Sequence, residues 1–398
     1  MMKFLASNPE FPKIALRSCR RCWFVTTLMF SLALGLGQSG AAAQSQTQPQ
    51  TQPRLDCTTQ SQMSPSSRDA LVVAARSFAE AIQQAQTTLL RAQSIPLLAQ
   101  QFDAVDRSVA ALAPQIRHAT ITVDDLYLLD ALDPRAQSSQ ASFFCGLPGS
   151  LLMVEMHFPA LPAGQYAVVI VHATGVAHPQ NLTFVLEQST SSATTASARW
   201  LLAGFFPHPL TMATHDGLWY WTEARGYTQR QMHWNAWLYY QAARSLLLPA
   251  PFMVSPNLEK LDAEAAETRP ASLAHGVSIS QPLVLSAGSQ SFRITRLWPT
   301  DALGPLDLAL DYQPTTAQTA QLSNAAEARQ QVVMLAQALL AAHPELAAAF
   351  HGFWIRAGAE PSSAFALELP MAELERPQQP AQKPSGATPS TQVVPSRR

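Results

Sequence analysis

The hydrophobic period of this chain changes at Cys145, and that change limits the folds open to its first half. Before it, Leu71, Val72, Ala75, Phe78, Ala79, Ile82 and Leu89 recur at helical spacing behind Ser66 and Ser67, which offer N-caps. Pro96 interrupts the run; Leu98, Phe102, Val105, Val109 and Leu112 then set a second helix that stops near Pro114, and a short third helix is expected over 124–132. After Cys145 come four runs rich in Val, Ile, Leu and Phe, at 151–158, 165–173, 182–188 and 199–206, separated by Pro, Gly, Asn and Ser clusters. Connections this short favour antiparallel neighbours, so the runs read as a four-stranded meander. Helices first and strands after define an α+β domain over 55–210, with the helices on one face of the sheet.

This element order, closing in Trp200-Leu201-Leu202-Ala203-Gly204-Phe205-Phe206, resembles the NTF2-like domains of bacterial exported proteins over roughly 69–207. The resemblance implies a curved sheet wrapped around a long helix. It carries over no catalytic residue.

The first 43 residues fit an exported protein. Lys3, Lys13, Arg17, Arg20 and Arg21 face a single acid, Glu10, and precede an apolar run from Trp23 to Gly37 that ends at Ala41, Ala42 and Ala43. A basic start, a short apolar stretch and a small-residue site make a cleavable secretory signal; an uncleaved anchor is the alternative reading. The run is shorter than the roughly twenty residues a bilayer-spanning helix needs, so no span is expected in the mature chain. Losing these residues takes the formal net charge from −1 to −5. That argues against nucleic acid, whose phosphates call for a basic patch. Export also bears on the cysteines. Cys19 and Cys22 leave with the signal, and Cys57 and Cys145 remain as a pair in an oxidising space, to be bridged or left as two buried thiols.

Residues 44–54 read as a disordered Gln/Thr/Pro tether. Between Asp216 and Leu248 the pattern is helical again, in two runs joined around 229–232. Ala224, Tyr227, Ala236, Tyr240 and Ala243 stand at the spacings of a tetratricopeptide repeat, so 211–270 resembles one such hairpin with its linker. Tyr220 stands where the repeat has Trp, and the closing Pro249 falls one position late. There is no second copy, and one unit must lean on its neighbours. Residues 275–370 read strand, strand, strand, helix, strand, strand, a smaller C-terminal α+β domain whose helix, 325–342, carries Val332, Val333, Ala336, Leu339 and Leu340 on one stripe. The Pro- and Gln-rich 371–398 has no core-forming pattern and reads as a disordered tail.

Three groups of residues could carry chemistry. Trp219, Trp221, Trp234 and Trp237 belong to a dense aromatic set in the hairpin, either a platform for a ligand or partner, or a buried keystone between the two α+β domains. Glu155 and His157 lie two apart in a strand and share a face, as a general acid and base would, or as a solvated strand face would. His172 on the next strand could approach them. His208, His215 and Asp216 cluster before the hairpin without metal-ligand spacing, and Asp216 is better placed as an N-cap; no metal is expected. No nucleophile elbow, P-loop or dinucleotide fingerprint occurs, and no cofactor is expected. The chain therefore reads as an exported, periplasmic or secreted, non-catalytic envelope protein that binds a protein partner or a small apolar ligand. The alternative is a pocket enzyme of NTF2-like type using Glu155 and His157.

Overall fold

The computed structural model describes residues 54–133, 136, 140–147, 149–159, 161–189, 199–358 and 365–374. The expected signal at 1–43, the tether up to residue 53 and the tail from 375 lie outside them. Strand β1 (Arg54–Thr59) comes first, so the tether's last residue already belongs to a sheet. Ser64, not Ser66 or Ser67, caps α1 (Pro65–Gln83): its hydroxyl accepts from the Ser67 amide, and Pro65 is preset for the first helical position. Helices α2 (Thr87–Ala92), α3 (Pro96–Gln100) and α4 (Asp103–Ile116) follow.

The third helix expected over 124–132 is instead part of strand β2 (Thr120–Asp130). A register shift between Val123 and Asp125 inserts an extra residue there, and this bulge breaks the alternation that marks a strand in sequence. Next come β3 (Gln140–Cys145), β4 (Val154–Pro159), β5 (Gln165–Thr174), β6 (Gln180–Gln188) and β7 (Trp200–Pro209). The two-residue strands β8 (Thr211–Met212) and β9 (His215–Asp216) form a small ribbon. It leads into α5 (Gly217–Gln229), α6 (His233–Leu247), β10 (Met253–Val254) and α7 (Pro256–Thr268).

The first sheet has the order β10-β4-β3-β1-β2-β5-β6-β7, antiparallel throughout except between β1 and β3. The run at 151–158 is thus not the first strand of the meander. β4 pairs with β3 and β10, and β2 takes the place beside β5. A short connection does not oblige two strands to pair, and β3 supplies the edge that β4 uses. Strand β1 is the seam: Arg54, Leu55 and Asp56 pair with β3, whereas Cys57, Thr58 and Thr59 pair with β2. A disulfide joins Cys57 to Cys145, 88 residues apart, at that seam. By loop-closure entropy a bridge of this span stabilises the fold by about 4–5 kcal/mol.

The sheet is covered on both faces. Phe78, Ile82, Phe102 and Val109 pack on Val169, Val171, Phe184 and Leu202, while Phe143, Met156, Phe158 and Phe252 meet Tyr127, Leu129, Val168 and Ile170 on the far side. β5 is buried on both faces, which is why Val168–Val171 reads as an unbroken apolar run.

The second sheet contains β11 (Leu283–Ala287), β12 (Gln290–Thr300), β13 (Asp307–Gln313), β14 (Gly352–Ala357) and β15 (Phe365–Pro370), in chain order. β13 and β14 are parallel, joined through α8 (Thr316–Gln321) and α9 (Ala325–Ala342); the other pairs are antiparallel. Residues 371–374, expected in the tail, form α10 (Met371–Leu374) and bury Met371 and Leu374. The hairpin, read as a segment of its own, shares one buried core with this sheet: Tyr220, Tyr239 and Tyr240 belong to the same cluster as Phe292, Tyr312, Leu335 and Phe353. Among the described residues no helix is long and apolar enough to cross a membrane.

Glu264 of α7 ties the helices together. Arg225 donates to both its oxygens at 2.8 Å, Trp221 Nε1 donates at 2.7 Å, and the Tyr240 hydroxyl stands at 3.3 Å. The Arg225 hydrogen bonds hold the Glu264 carboxyl below its ordinary value of 4.5. A depressed folded pKa contributes stability above pH 4.5 that is lost as pH falls through the folded value. Glu264→Gln is expected to cost about 1.5–3 kcal/mol at pH 7. In urea unfolding, the gap between variant and wild type should close in acid; a gap independent of pH would contradict this role.

Candidate functional site

A concavity lies at the β7 edge of the first sheet. Residues 93–95 run along that edge: the Leu202 amide donates to the Gln93 carbonyl, and the Ile95 amide donates to the Leu202 carbonyl, both at 2.9 Å. Pro96 holds Ile95 extended and starts α3, which turns over the edge. β7 has a register shift opposite Val185 and Leu186, and a Cβ at Gly204 there would stand 3.0 Å from the Phe206 ring. Between α3, the β4–β5 connection and the floor of β5, β6 and β7 lies a cavity of about 310 Å³. Its walls are Leu97, Leu98, Phe158, Leu161, Val185 and Phe206, and its polar groups include Tyr166 and Glu187.

Tyr166 and Glu187 face each other across β5 and β6. The Tyr166 hydroxyl donates to the Pro162 carbonyl at 3.2 Å and also interacts with the Glu187 carboxylate. Burial pushes the Glu187 carboxyl above its ordinary 4.5, opposed by the neighbouring Tyr166 hydroxyl. Burial and the same carboxylate push the Tyr166 phenol up. The arrangement is an apolar chamber with one hydrogen-bonding corner, the usual chemistry of a small-molecule site. No sequence pattern pointed to Tyr166 or Glu187, because cross-strand register alone makes them neighbours.

The structure brings Glu155 and His157 together elsewhere, on the side of β4 turned away from this half's core. His157 Nε2 lies 3.4 Å from Glu155 Oε1, and its Nδ1 lies 3.0 Å from the hydroxyl of Ser142 on β3. A hydroxyl, an imidazole and a carboxylate in series make a proton relay in principle. Ser142, however, is only 2% exposed, so its hydroxyl is shut off from solvent. His172 does not join them: it lies on β5, opposite Thr122 and Asn181, with Nε2 3.9 Å from Asp124 Oδ2.

The tryptophans do not form a platform. Trp221, Trp234 and Trp237 are buried in the second core and Trp219 is half-buried. Trp219 stacks on His215 with ring centroids 3.7 Å apart, Trp234 stacks on His343 at 3.9 Å, and Trp221 is held by Glu264. α6 packs against α5, α7 and β12, so rings on several of its faces are core. Asp216 is the N-cap expected of it, accepting from the Trp219 amide at 2.8 Å. His208 makes its own contact with the Pro209 carbonyl.

No protein-family model, curated protein or solved structure matches this chain. Its functional reading therefore rests on geometry.

Glu187 offers a pH test of that geometry. Its raised folded pKa means that ionisation disfavours the fold: stability is lost as pH rises from 4.5 through the folded value. Glu187→Gln is expected to melt at or above the wild-type temperature at pH 7, with the difference shrinking to nothing below pH 4.5 in a thermal series. A variant less stable than wild type at neutral pH would show instead that the carboxylate is structurally required.

Proposed function

We propose that this is an exported, non-catalytic binding protein of the cell envelope that holds a small, largely apolar ligand in the cavity between α3 and the β5–β7 floor. The carrying observation is the cavity itself, about 310 Å³ and walled by leucines, Val185 and two phenylalanines, with Tyr166 and Glu187 at one corner. That volume is at the low end of the roughly 300–1,000 Å³ common for ligand sites, so the ligand is small. Its body is apolar, and it carries one polar group able to bond to the phenol or the carboxyl. Export is supported by the basic and apolar pattern of the first 43 residues together with the Cys57–Cys145 disulfide. The packing of α1 and α4 on β2, β5, β6 and β7 supports the NTF2-like reading of this half. The folding of β1, β3, β4 and β10 over the opposite face is what that reading does not anticipate. Neither Glu155 nor His157 lines the cavity, so the binding reading is preferred over the acid–base one.

The test uses N-phenyl-1-naphthylamine, an apolar probe whose fluorescence rises when it leaves water. The purified oxidised chain is expected to bind it saturably, and Val185→Phe, which fills the floor, to weaken binding by about tenfold, near 1.4 kcal/mol. Glu155→Gln and His157→Ala should leave binding unchanged. Equal binding by wild type and Val185→Phe, with thermal unfolding showing both folded, would remove the cavity from consideration.

A further inference from the structure

The face of the second sheet turned away from α9 carries a polar row unrelated to the cavity. Asp307 opens β13 and pairs with Gly352 of β14; His351 directly precedes that glycine; Glu368 lies on β15 opposite Trp354. Side chains alternate along a strand, so Leu308, Leu310 and Tyr312 go to the α9 side and Asp307 to the other. The three residues are firmly placed. The His351 amide donates to the Leu306 carbonyl and its carbonyl accepts from the Met371 amide, both at 2.8 Å. At Gly352 a Cβ would stand 2.7 Å from the Leu369 carbonyl, so only glycine lets β15 come this close.

Asp307 is the uncommon member. Its side chain is 1% exposed. Oδ1 meets His351 Nδ1 at 3.3 Å, while Oδ2 is buried without a well-formed hydrogen bond, the Gly352 amide also acting on this carboxylate. A buried carboxylate oxygen without a donor costs about 1–3 kcal/mol or more. Glu368 adds a second carboxylate: its Oε1 lies 3.7 Å from the same imidazole nitrogen. One ligand atom from each of the three residues lies within 4.8 Å of the others. Donors bound to one zinc ion at about 2.0–2.2 Å in tetrahedral geometry stand roughly 3.3–3.6 Å apart. The two contacts of Nδ1, at 3.3 and 3.7 Å, are already close to that spacing.

We infer that Asp307, His351 and Glu368 form a binding site for one divalent transition-metal ion, of which zinc suits the one-imidazole, two-carboxylate set. A dication neutralises both carboxylates, the buried Asp307 included. His351 is 46% exposed, so water or a ligand can complete the coordination. The site is independent of the cavity proposal, being built from other residues in the other half of the chain.

The experiment is titration calorimetry of zinc sulfate into the full chain, made without a histidine tag and stripped with chelator, with cobalt spectra as a second readout. Wild type is expected to take up one zinc per chain with micromolar or tighter affinity and to show cobalt d–d bands. Binding should weaken in acid, because protons compete with the ion for its imidazole and carboxylate donors. His351→Gln and Glu368→Gln, both at partly exposed positions, should each weaken zinc at least tenfold and remove the cobalt bands. Asp307→Asn should do the same, but the two exposed positions carry the decision because the buried one bears on folding. No saturable zinc binding, or a single site equally strong in both exposed-position variants, overturns the inference.

Discussion

The first half of this molecule depends on one strand that serves two sheet layers. β1 gives its first three residues to β3 and its last three to β2. The backbone hydrogen bonds of the two layers are therefore continuous, while side chains from both meet in one apolar layer holding Phe143, Met156, Phe158 and Phe252. A six-residue strand near the beginning of the described chain would be prone to fraying if only hydrogen bonds held it. The Cys57–Cys145 disulfide anchors it where it passes from one partner to the other. Without β1, β3 and β4 would have no link to β2, and β3 and β2 would each present an unpaired edge.

The cavity follows from the same folding-back. Where two layers separate at the β7 edge, side chains from one do not reach the other. The gap is bridged by α3 and the β4–β5 connection instead of being filled. The bulge opposite Val185 and the small residues Ala203 and Gly204 keep the floor low. Glu187 fits this picture: a carboxylate at the margin of a core is tolerated because Tyr166 is its cross-strand neighbour and the chamber remains open to water.

What could be read from the sequence were elements whose signal is local. The helix around Leu71–Ile82 buries most of the stripe its periodicity marks, 325–342 buries Val332, Ala336 and Leu339 and half-buries Val333 and Leu340, Asp216 caps the helix it precedes, and the strands at 165–173, 182–188 and 199–206 are neighbours in the first sheet. The sequence is silent where the deciding contact is distant. Part of β2 mimics a helix because its bulge scrambles alternation, and β4 pairs away from its chain neighbour β5 because β3 supplies its edge. The hairpin tryptophans looked the same whether exposed or buried until the second sheet and α7 were packed on them. Tyr166 and Glu187 are 21 positions apart and Asp307, His351 and Glu368 span 61, so no spacing rule brings either set together. Glu155 and His157 were legible as a pair because two residues in one strand necessarily share a face, whereas Ser142 entered only through register.

The two halves meet through the segment that leaves α6. Thr183 of β6 donates to the Pro249 carbonyl at 2.9 Å, Phe252 enters the layer between the folded-over strands, and β10 extends that layer beside β4 before α7 returns to the hairpin. Phe252 contacts both Phe158 and Phe206, at centroid distances of 4.7 and 5.3 Å, and those two rings are cavity walls. A chain ending at residue 210 would lack both the ring behind the cavity and the strand covering the edge of β4. The shape of the chamber is consequently a property of the whole chain, and the aromatic hairpin contributes to it indirectly, by fixing where the Phe252 segment begins and ends.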